Sequence, residues 1–314
     1  MPDLTGTRYR ALEYLGRGGM GVVWLAEDTL LQRRVALKIL APENSSPELA
    51  ARLLREAVVL ARLEHPGIVP VHDSGVLADG RTFYCMKYVE GKTLDKHVAG
   101  LSLRERLQLL QRIAEPLAFA HARGIVHRDL KPNNVMVGAF GEVLIMDWGL
   151  ARVTGDGSHE PGVPAGATAG TGMLLSGPAP TGHGTVLGTA GYMAPEQARG
   201  DVALIDARAD VFALGAILNF MLGETVGTGQ QRRSRKPLVA IRDKAVASEI
   251  SARYASVPEL ASEVGHYLEG MPVSVYRETL LERTARLLSR HQVAVVLIAA
   301  YLIMRLLFIL FSRH

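Results

Sequence analysis

HRDLKPNN, residues 127–134, is the stretch of this sequence that decides its fold. It places a carboxylate at Asp129, an ammonium group two residues later at Lys131, and a carboxamide five residues later at Asn134. All three side chains belong to one loop without helical periodicity. Such a loop can orient a hydroxyl nucleophile, neutralise a phosphoryl group and hold a metal ion at the same time.

A second carboxylate follows a short apolar strand further along the chain. The strand is predicted at Val143–Met146, and Asp147-Trp148-Gly149 comes directly after it. Hard cations such as Mg²⁺ prefer oxygen ligands, and Asn134 and Asp147 supply two of them. The sequence therefore predicts a magnesium site shared by these two segments.

A glycine-rich segment precedes both of them. Gly16, Gly18 and Gly21 form a G-x-G-x-x-G-x-V pattern, in which backbone N–H groups can lie close to phosphates because no Cβ intervenes. The chain continues as a strand, predicted at Gly21–Asp28, whereas a dinucleotide-binding loop would open a helix. No G-x-x-x-x-G-K-S/T pattern occurs, which excludes a P-loop NTPase.

A lysine stands inside the next apolar strand, in the sequence VALK ending at Lys38. A buried ammonium needs a partner to offset its loss of hydration. Apolar residues recur at helical spacing from Pro47 to Leu63, and Glu56 on that helix is the natural partner. The alternative is a surface lysine at the end of a strand.

Together with GTAGYMAPE at 188–196 and DVFALG at 210–215, these motifs resemble a eukaryotic-type (Hanks-type) serine/threonine protein kinase of the bacterial, membrane-anchored kind. The resemblance covers residues 9–270. It implies an α+β, bilobal protein-kinase fold, with a small antiparallel-sheet N-lobe that carries one helix (9–89). A larger, mainly helical C-lobe (90–270) would follow and include an activation segment at 147–196.

The resemblance also implies a role for each residue that matches the family pattern. Asp129 would orient the substrate hydroxyl and accept its proton, and Lys131 would support the γ-phosphate of ATP. Lys38, held by Glu56, would contact the α- and β-phosphates, while Asn134 and Asp147 would bind Mg²⁺. The ATP-binding set is Leu15, Gly16, Gly18, Gly21, Val23, Ala36, Lys38, Met86, Lys87, Val89 and Met136.

Several positions depart from the family pattern or extend it. Trp148 replaces the usual Phe and is expected to pack between His127 and Leu60 without disturbing Asp147. Lys87 replaces a frequent Glu, at a position where adenine is contacted by backbone groups. Residues 223–237 are shorter than in most members, which affects how protein substrates dock. An ion pair between Glu196 and Arg253 is also expected.

The stretch 154–188 is rich in Gly, Pro, Ala, Thr and Ser and fits an enlarged activation loop. Arg128 is the cation that such kinases use to hold a phosphorylated loop. An unmodified linker is the alternative. The candidate autophosphorylation sites are Thr181 and Thr185, with Thr168, Thr171 and Ser176 as weaker candidates.

Residues 293–311 are apolar except for Arg305, and the stretch 292–311 is predicted to form a transmembrane helix. A basic juxtamembrane segment, 271–291, precedes it, as expected for a cytoplasmic flank. The alternative is a helix packed on the kinase or on a partner. We therefore expect a single-pass protein of the cell membrane with its kinase domain in the cytoplasm, or otherwise a cytoplasmic protein. Few residues follow this stretch, so no extracellular sensor is expected.

The basic run Arg232–Lys236 is either a solvated loop or a contact with anionic lipid.

Composition limits the remaining classes of function. The chain has 314 residues, 48% of them apolar, and a formal charge of +4, which is typical of a folded protein. Its basic residues are scattered, so no nucleic-acid partner is expected. The single cysteine, Cys85, cannot form an internal disulfide, and no signal peptide or zinc-ligand spacing is present.

The expected partners are protein substrates, the membrane and a second copy for trans-autophosphorylation. A pseudokinase and a metabolite kinase are the alternatives.

Overall fold

The structure is a computed structural model. It describes residues 1–153 except 19, 45 and 150, then 190–223 and 235–279, and beyond these only positions 283, 284, 297, 298, 300–305 and 308. The candidate phosphorylation sites between 168 and 185 and most of the short region 223–237 lie outside the described residues. So does much of the predicted membrane span.

The first part of the chain forms a five-stranded sheet in which every neighbouring pair is antiparallel, in the order β1-β2-β3-β5-β4. The strands are rich in Val, Leu and aromatic residues, which favour extended backbone. Their bounds are β1 (Tyr9–Gly18), β2 (Gly21–Asp28), β3 (Arg33–Leu40), β4 (Val71–Val76) and β5 (Thr82–Lys87).

One helix, α1 (Pro47–Arg62), lies beside this sheet. It begins where the Ser46 side chain accepts the Leu49 N–H and where Pro47 occupies the first turn, both favourable helix starts. Its buried face carries Leu53, Glu56, Ala57 and Leu60. A carboxylate on an otherwise apolar face indicates a partner inside the sheet.

The second part of the chain is mainly helical. Its centre is the helix Arg208–Leu222, buried over most of its length, where Gly215 allows close packing because a Cβ there would lie 2.6 Å from Ala245 Cβ. The helices are α2 (Leu94–His97), α3 (Leu103–His121), α4 (Pro195–Ala198), α5 (Arg208–Leu222), α6 (Lys236–Ala245) and α7 (Val257–Leu268).

Short strands carry the loops that lie between the two parts. They form a three-stranded antiparallel sheet and a two-stranded pair, and they position the segments around Asp129 and Asp147. The strands are β6 (Gly91–Thr93), β7 (Ile125–Val126), β8 (Val135–Gly138), β9 (Val143–Ile145) and β10 (Arg152–Val153).

The predicted bilobal architecture, with an antiparallel-sheet N-lobe and a helical C-lobe, is confirmed. The predicted transmembrane helix stays a prediction. No helix among the described residues has the length and apolar character needed to cross a bilayer. Only scattered positions of the range 292–311 belong to that part of the chain.

Candidate active site

A carboxylate of the central helix, α5, accepts hydrogen bonds from the loop that carries Asp129 and holds that loop in place. Asp210, fully buried in the first turn of α5, accepts the His127 N–H at 2.8 Å and the Arg128 N–H at 2.9 Å. Arg128 has φ of 69°, which a residue with a side chain rarely adopts without support. The His121 ring adds a contact of 2.7 Å from its Nε2 to the same carboxylate.

Asp210 is ionised at neutral pH. Burial alone would raise its pKa, but the hydrogen bonds from the His121 ring and from the Arg128 backbone outweigh burial, so the pKa lies below its usual value. A full negative charge therefore faces the two backbone donors, which strengthens both hydrogen bonds.

His127 joins the two acidic segments. Its Nε2 lies 3.0 Å from the Met146 carbonyl oxygen, which can only accept, so Nε2 carries the proton. Its Nδ1 is then free to accept the Asp129 N–H at 3.2 Å. One ring thus fixes the backbone at Asp129 and the backbone just before Asp147.

Asp129 is surrounded by the other two polar groups of its loop. Lys131 Nζ lies 2.9 Å from its Oδ2, and Asn134 Nδ2 donates to its Oδ2 at 3.2 Å and to its carbonyl oxygen at 2.8 Å. The Asn134 side-chain oxygen is not engaged in these contacts, so it is available to a cation. The structure brings Asp129, Lys131 and Asn134 together as the sequence predicted.

Lys38 and Glu56 form a buried ion pair. Lys38 Nζ donates to both Glu56 oxygens at 2.7 and 2.9 Å, and also to Asp147 Oδ1 at 2.8 Å. Burial alone would lower the pKa of Lys38, but the nearby negative charges outweigh it and raise the pKa, so the ammonium stays charged. The same lysine depresses the pKa of Asp147 against the effect of burial.

The backbone at Asp147 is held in a strained form, with φ of 59°. The next residue, Trp148, is buried with 1% exposure, and its ring centroid lies 4.6 Å from that of His127, as expected. Leu60 belongs to the same core cluster. The indole Nε1 is buried and has no hydrogen-bond partner among the described residues. Trp148 therefore fills the space as an apolar plug, but it leaves a polar atom unsatisfied.

The glycines of the β1–β2 turn are not equivalent. A Cβ at Gly21 would lie 2.8 Å from the Ile39 carbonyl oxygen, so Gly21 is required by packing. A Cβ at Gly16 or Gly18 would meet no atom within 4 Å. Folding does not explain glycine at these two positions, which fits a surface that a phosphate group approaches closely.

The residues predicted to surround adenine lie on β1, β2, β3, β5, β8 and the segment after β5. Ala36, Met86 and Val89 are buried, Val23 and Met136 are partly buried, and Leu15 is 40% exposed. The Lys87 N–H donates to the Pro70 carbonyl oxygen at 3.0 Å, so an adenine contact from Lys87 would use its carbonyl oxygen. The Lys87 side chain is exposed.

The donor set fits Mg²⁺ in its chemistry. Asp147 supplies a carboxylate, 36% exposed, and Asn134 an amide oxygen. Mg²⁺ commonly takes one or two protein ligands and completes its shell with phosphate oxygens and water. No group of three or more His, Cys, Asp or Glu side chains that could hold a metal occurs in the described part of the chain.

The predicted ion pair between Glu196 and Arg253 is present and buried. Arg253 binds both Glu196 oxygens at 2.7 Å, in the forked geometry that suits guanidinium and carboxylate. The neighbouring Gln197 donates from Nε2 to the Arg128 carbonyl oxygen at 2.7 Å. This contact, which the sequence did not reveal, ties α4 to the loop that carries Asp129.

Sequence reasoning also missed two contacts made by side chains of α1. Tyr84 on β5 donates its hydroxyl to Glu56 Oε1 at 2.9 Å, and Arg52 on α1 donates from Nε to the Gly149 carbonyl oxygen at 3.2 Å. The only sequence signal for Tyr84 is its hydroxyl group, which lies between the apolar residues Phe83 and Cys85 in the middle of β5.

The family model described as protein kinase domain matches residues 9–274. The chain is 31% identical over 308 residues to a serine/threonine-protein kinase PknD of Protochlamydia amoebophila, covering 83% of this chain and 30% of that protein. It is 34% identical over 303 residues to PknD of Chlamydia felis, with coverages of 84% and 31%. The chain therefore spans about a third of these relatives' own length.

Among solved structures, the fold is similar to that of the Mycobacterium tuberculosis PknI kinase domain. The TM-score is 0.60 at 26% sequence identity, and the match covers 85% of this chain and 99% of that one. This neighbour is a kinase domain by itself, so the likeness extends over the whole catalytic unit.

Proposed function

The chain belongs to the protein kinase family, and on that premise we propose that it is an active serine/threonine kinase that transfers the γ-phosphoryl group of ATP to protein hydroxyls. The observation that carries this proposal is the contact of Lys38 with both Glu56 and Asp147, at 2.7 and 2.8 Å. This contact supports the proposed roles of Lys38 in phosphate binding and of Asp147 in metal binding, because the two groups lie side by side.

In the proposed reaction, Asp129 orients the incoming hydroxyl and accepts its proton as the oxygen attacks the γ-phosphorus and the bond to the β-phosphate oxygen breaks. Lys131, 2.9 Å from Asp129, supplies positive charge beside the transferred group. Lys38 binds the α- and β-phosphates and is kept in place by Glu56. Asn134 and Asp147 would hold Mg²⁺, which neutralises charge on the phosphates.

A pseudokinase is the competing function. A scaffold without phosphoryl transfer has no need of a charged Lys38 aimed at Asp147, or of a strained Asp147 backbone. The Lys38–Asp147 contact and the strained Asp147 backbone are both present, and they favour catalysis.

The full chain, incubated with radiolabelled ATP, Mg²⁺ and a generic protein substrate, should label Ser or Thr but not Tyr. Lys38→Ala should abolish labelling, whereas Lys244→Ala, a change on the outer part of α6, should leave it unchanged. ATP binding without labelling in the wild type would establish the pseudokinase instead.

We also propose that the apolar stretch 292–311 holds the kinase at the cytoplasmic face of a membrane. Its described apolar side chains are each more than half exposed, a pattern that is typical of a membrane or partner contact. They are Leu297, Ile298, Tyr301, Leu302, Ile303, Met304 and Phe308. Extraction of bacterial membranes with carbonate tests this location: the full chain should stay in the pellet, and a chain ending at residue 291 should not.

Autophosphorylation between two copies is part of the same proposal. Its rate per molecule should rise with protein concentration, because the reacting groups lie on different chains. A rate per molecule that is independent of concentration would instead indicate reaction within one chain.

A further inference from the structure

Lys38 uses all its hydrogen-bonding capacity in this structure. An ammonium group has three N–H donors, and Lys38 directs two to Glu56 and one to Asp147. Binding the phosphates of a nucleotide requires at least one of these donors to turn away. The carboxylate of Glu56, only 2% exposed, would then lose part of its compensation.

Tyr84 supplies a donor to Glu56 that does not have to move. It lies directly opposite Lys38 in the pairing of β3 with β5, and it is 1% exposed. Its hydroxyl donates to Glu56 Oε1 at 2.9 Å, the same oxygen that Lys38 approaches at 2.7 Å. The bond joins α1 to the sheet independently of Lys38.

The charges around Glu56 also indicate that Tyr84 compensates its burial alongside Lys38. Burial raises the pKa of the Glu56 carboxyl, and the Lys38 ammonium and the Tyr84 hydroxyl both act against that rise. Burial also raises the pKa of Tyr84 well above its usual value, so its hydroxyl keeps the proton that it donates.

We propose that Tyr84 is a positioning residue for phosphate binding: its hydroxyl holds Glu56 against the sheet while Lys38 turns part of its donor set toward the nucleotide. Tyr84 touches neither the nucleotide nor the reacting atoms, and it acts through Glu56 on Lys38. This inference rests on the proposed kinase function, because it assumes that Lys38 binds nucleotide phosphates.

The test is the affinity of the full chain for Mg-ADP, measured by calorimetry, for wild type, Tyr84→Phe, Lys38→Met and the double variant. Tyr84→Phe should weaken binding roughly tenfold, the scale of one hydrogen bond to a charged group. In the Lys38→Met background the same change should have almost no further effect, since the lysine through which Tyr84 acts is gone. A purely structural loss would appear in both backgrounds.

A matched control is available at Tyr254, which is fully buried in the C-lobe and whose hydroxyl has no hydrogen-bond partner within the described ranges. Tyr254→Phe removes the same atom without breaking a bond, and should bind Mg-ADP like the wild type. In kinetic assays Tyr84→Phe should raise the KM for ATP and leave the KM for the protein substrate unchanged.

The proposal is overturned if Tyr84→Phe binds Mg-ADP within about twofold of wild type, or if it weakens binding equally in both backgrounds. A wild type that binds Mg-ADP but transfers no phosphate would refute the proposed function alone. The comparison of affinities would then still decide the role of Tyr84.

Discussion

Asp210 fixes the backbone of Arg128 by accepting its N–H at 2.9 Å, although the two residues are 82 positions apart in the sequence. The carboxylate comes from the most deeply buried helix of the C-lobe, and the residue that it holds adjoins Asp129. The left-handed backbone conformation of Arg128 is therefore stabilised by a residue of the buried core and not by the loop itself.

Asp210→Asn should lower kcat strongly. An amide offers one acceptor oxygen where the carboxylate offers two, so one backbone donor of the loop would be left unpaired, at a cost of about 1–3 kcal/mol. We expect a fall in kcat of about tenfold or more, with faster hydrogen exchange at His127 and Arg128. Asp206→Asn is the control, because Asp206 pairs with Arg208 near the surface and should change kcat little. Equal activity of the two variants would contradict this role of Asp210.

Gly18 and Gly21 should respond differently to alanine. Gly21→Ala places a methyl group against the Ile39 carbonyl oxygen and should lower the melting temperature. Gly18→Ala meets no neighbour, so it should leave the melting temperature unchanged but raise the KM for ATP. An unchanged KM for Gly18→Ala would show that phosphate does not approach this position.

The Glu196–Arg253 pair predicts a specific dependence of stability on pH. Burial alone would raise the pKa of Glu196, but the hydrogen bonds from Arg253 outweigh it and hold the pKa below its usual 4.5. The carboxylate is therefore favoured in the folded state. The contribution of ionised Glu196 to the free energy of unfolding is complete above about pH 4.5. It is lost as the pH falls through the lower pKa that Glu196 has in the folded state.

Glu196→Gln should destabilise the protein by about 3–5 kcal/mol at neutral pH, since it leaves a buried guanidinium without its partner. Urea unfolding should show this difference shrinking as the pH falls below about 4.5, because Glu196 in the wild type also becomes protonated as the pH passes through its lowered pKa. A difference that stays constant across this range would mean that the pair does not contribute through ionised Glu196.

The sequence predicted the elements whose signals are local. The glycine pattern and the strand after it gave β2 with its observed bounds, Gly21–Asp28, and the helical spacing after Pro47 gave α1 to within one residue. The pairing of Lys38 with Glu56 followed from the cost of burying an isolated ammonium.

Contacts that depend on the register and packing of distant segments were not predictable from the sequence. Tyr84 reaches Glu56 only because β5 pairs with β3 so that Tyr84 lies opposite Lys38. Asp210 belongs to the motif DVFALG, which is visible in the sequence, but its position next to the loop depends on how α5 packs. Gln197 carries no sequence signal for its bond to the Arg128 carbonyl oxygen.

Trp148 should tolerate phenylalanine but not alanine. Trp148→Phe removes the unsatisfied indole N–H along with some buried surface, and these opposing effects should leave the kcat within about threefold of wild type. Trp148→Ala empties the space beside His127 and should cost about 3–5 kcal/mol of unfolding free energy. Denaturant unfolding and steady-state kinetics measure the two effects. A large loss of kcat in Trp148→Phe would show that the indole itself positions Asp147.

The most direct test of the proposed kinase activity is phosphate transfer by the full chain itself. Wild type and Asp129→Asn, incubated with Mg-ATP, would be compared by intact mass and by mapping of phosphopeptides. The proposed activity predicts added phosphate on Ser or Thr in the wild type and none in Asp129→Asn, with both proteins binding ATP. Equal phosphorylation of the two proteins, or none in either together with no transfer to any protein substrate, would contradict it.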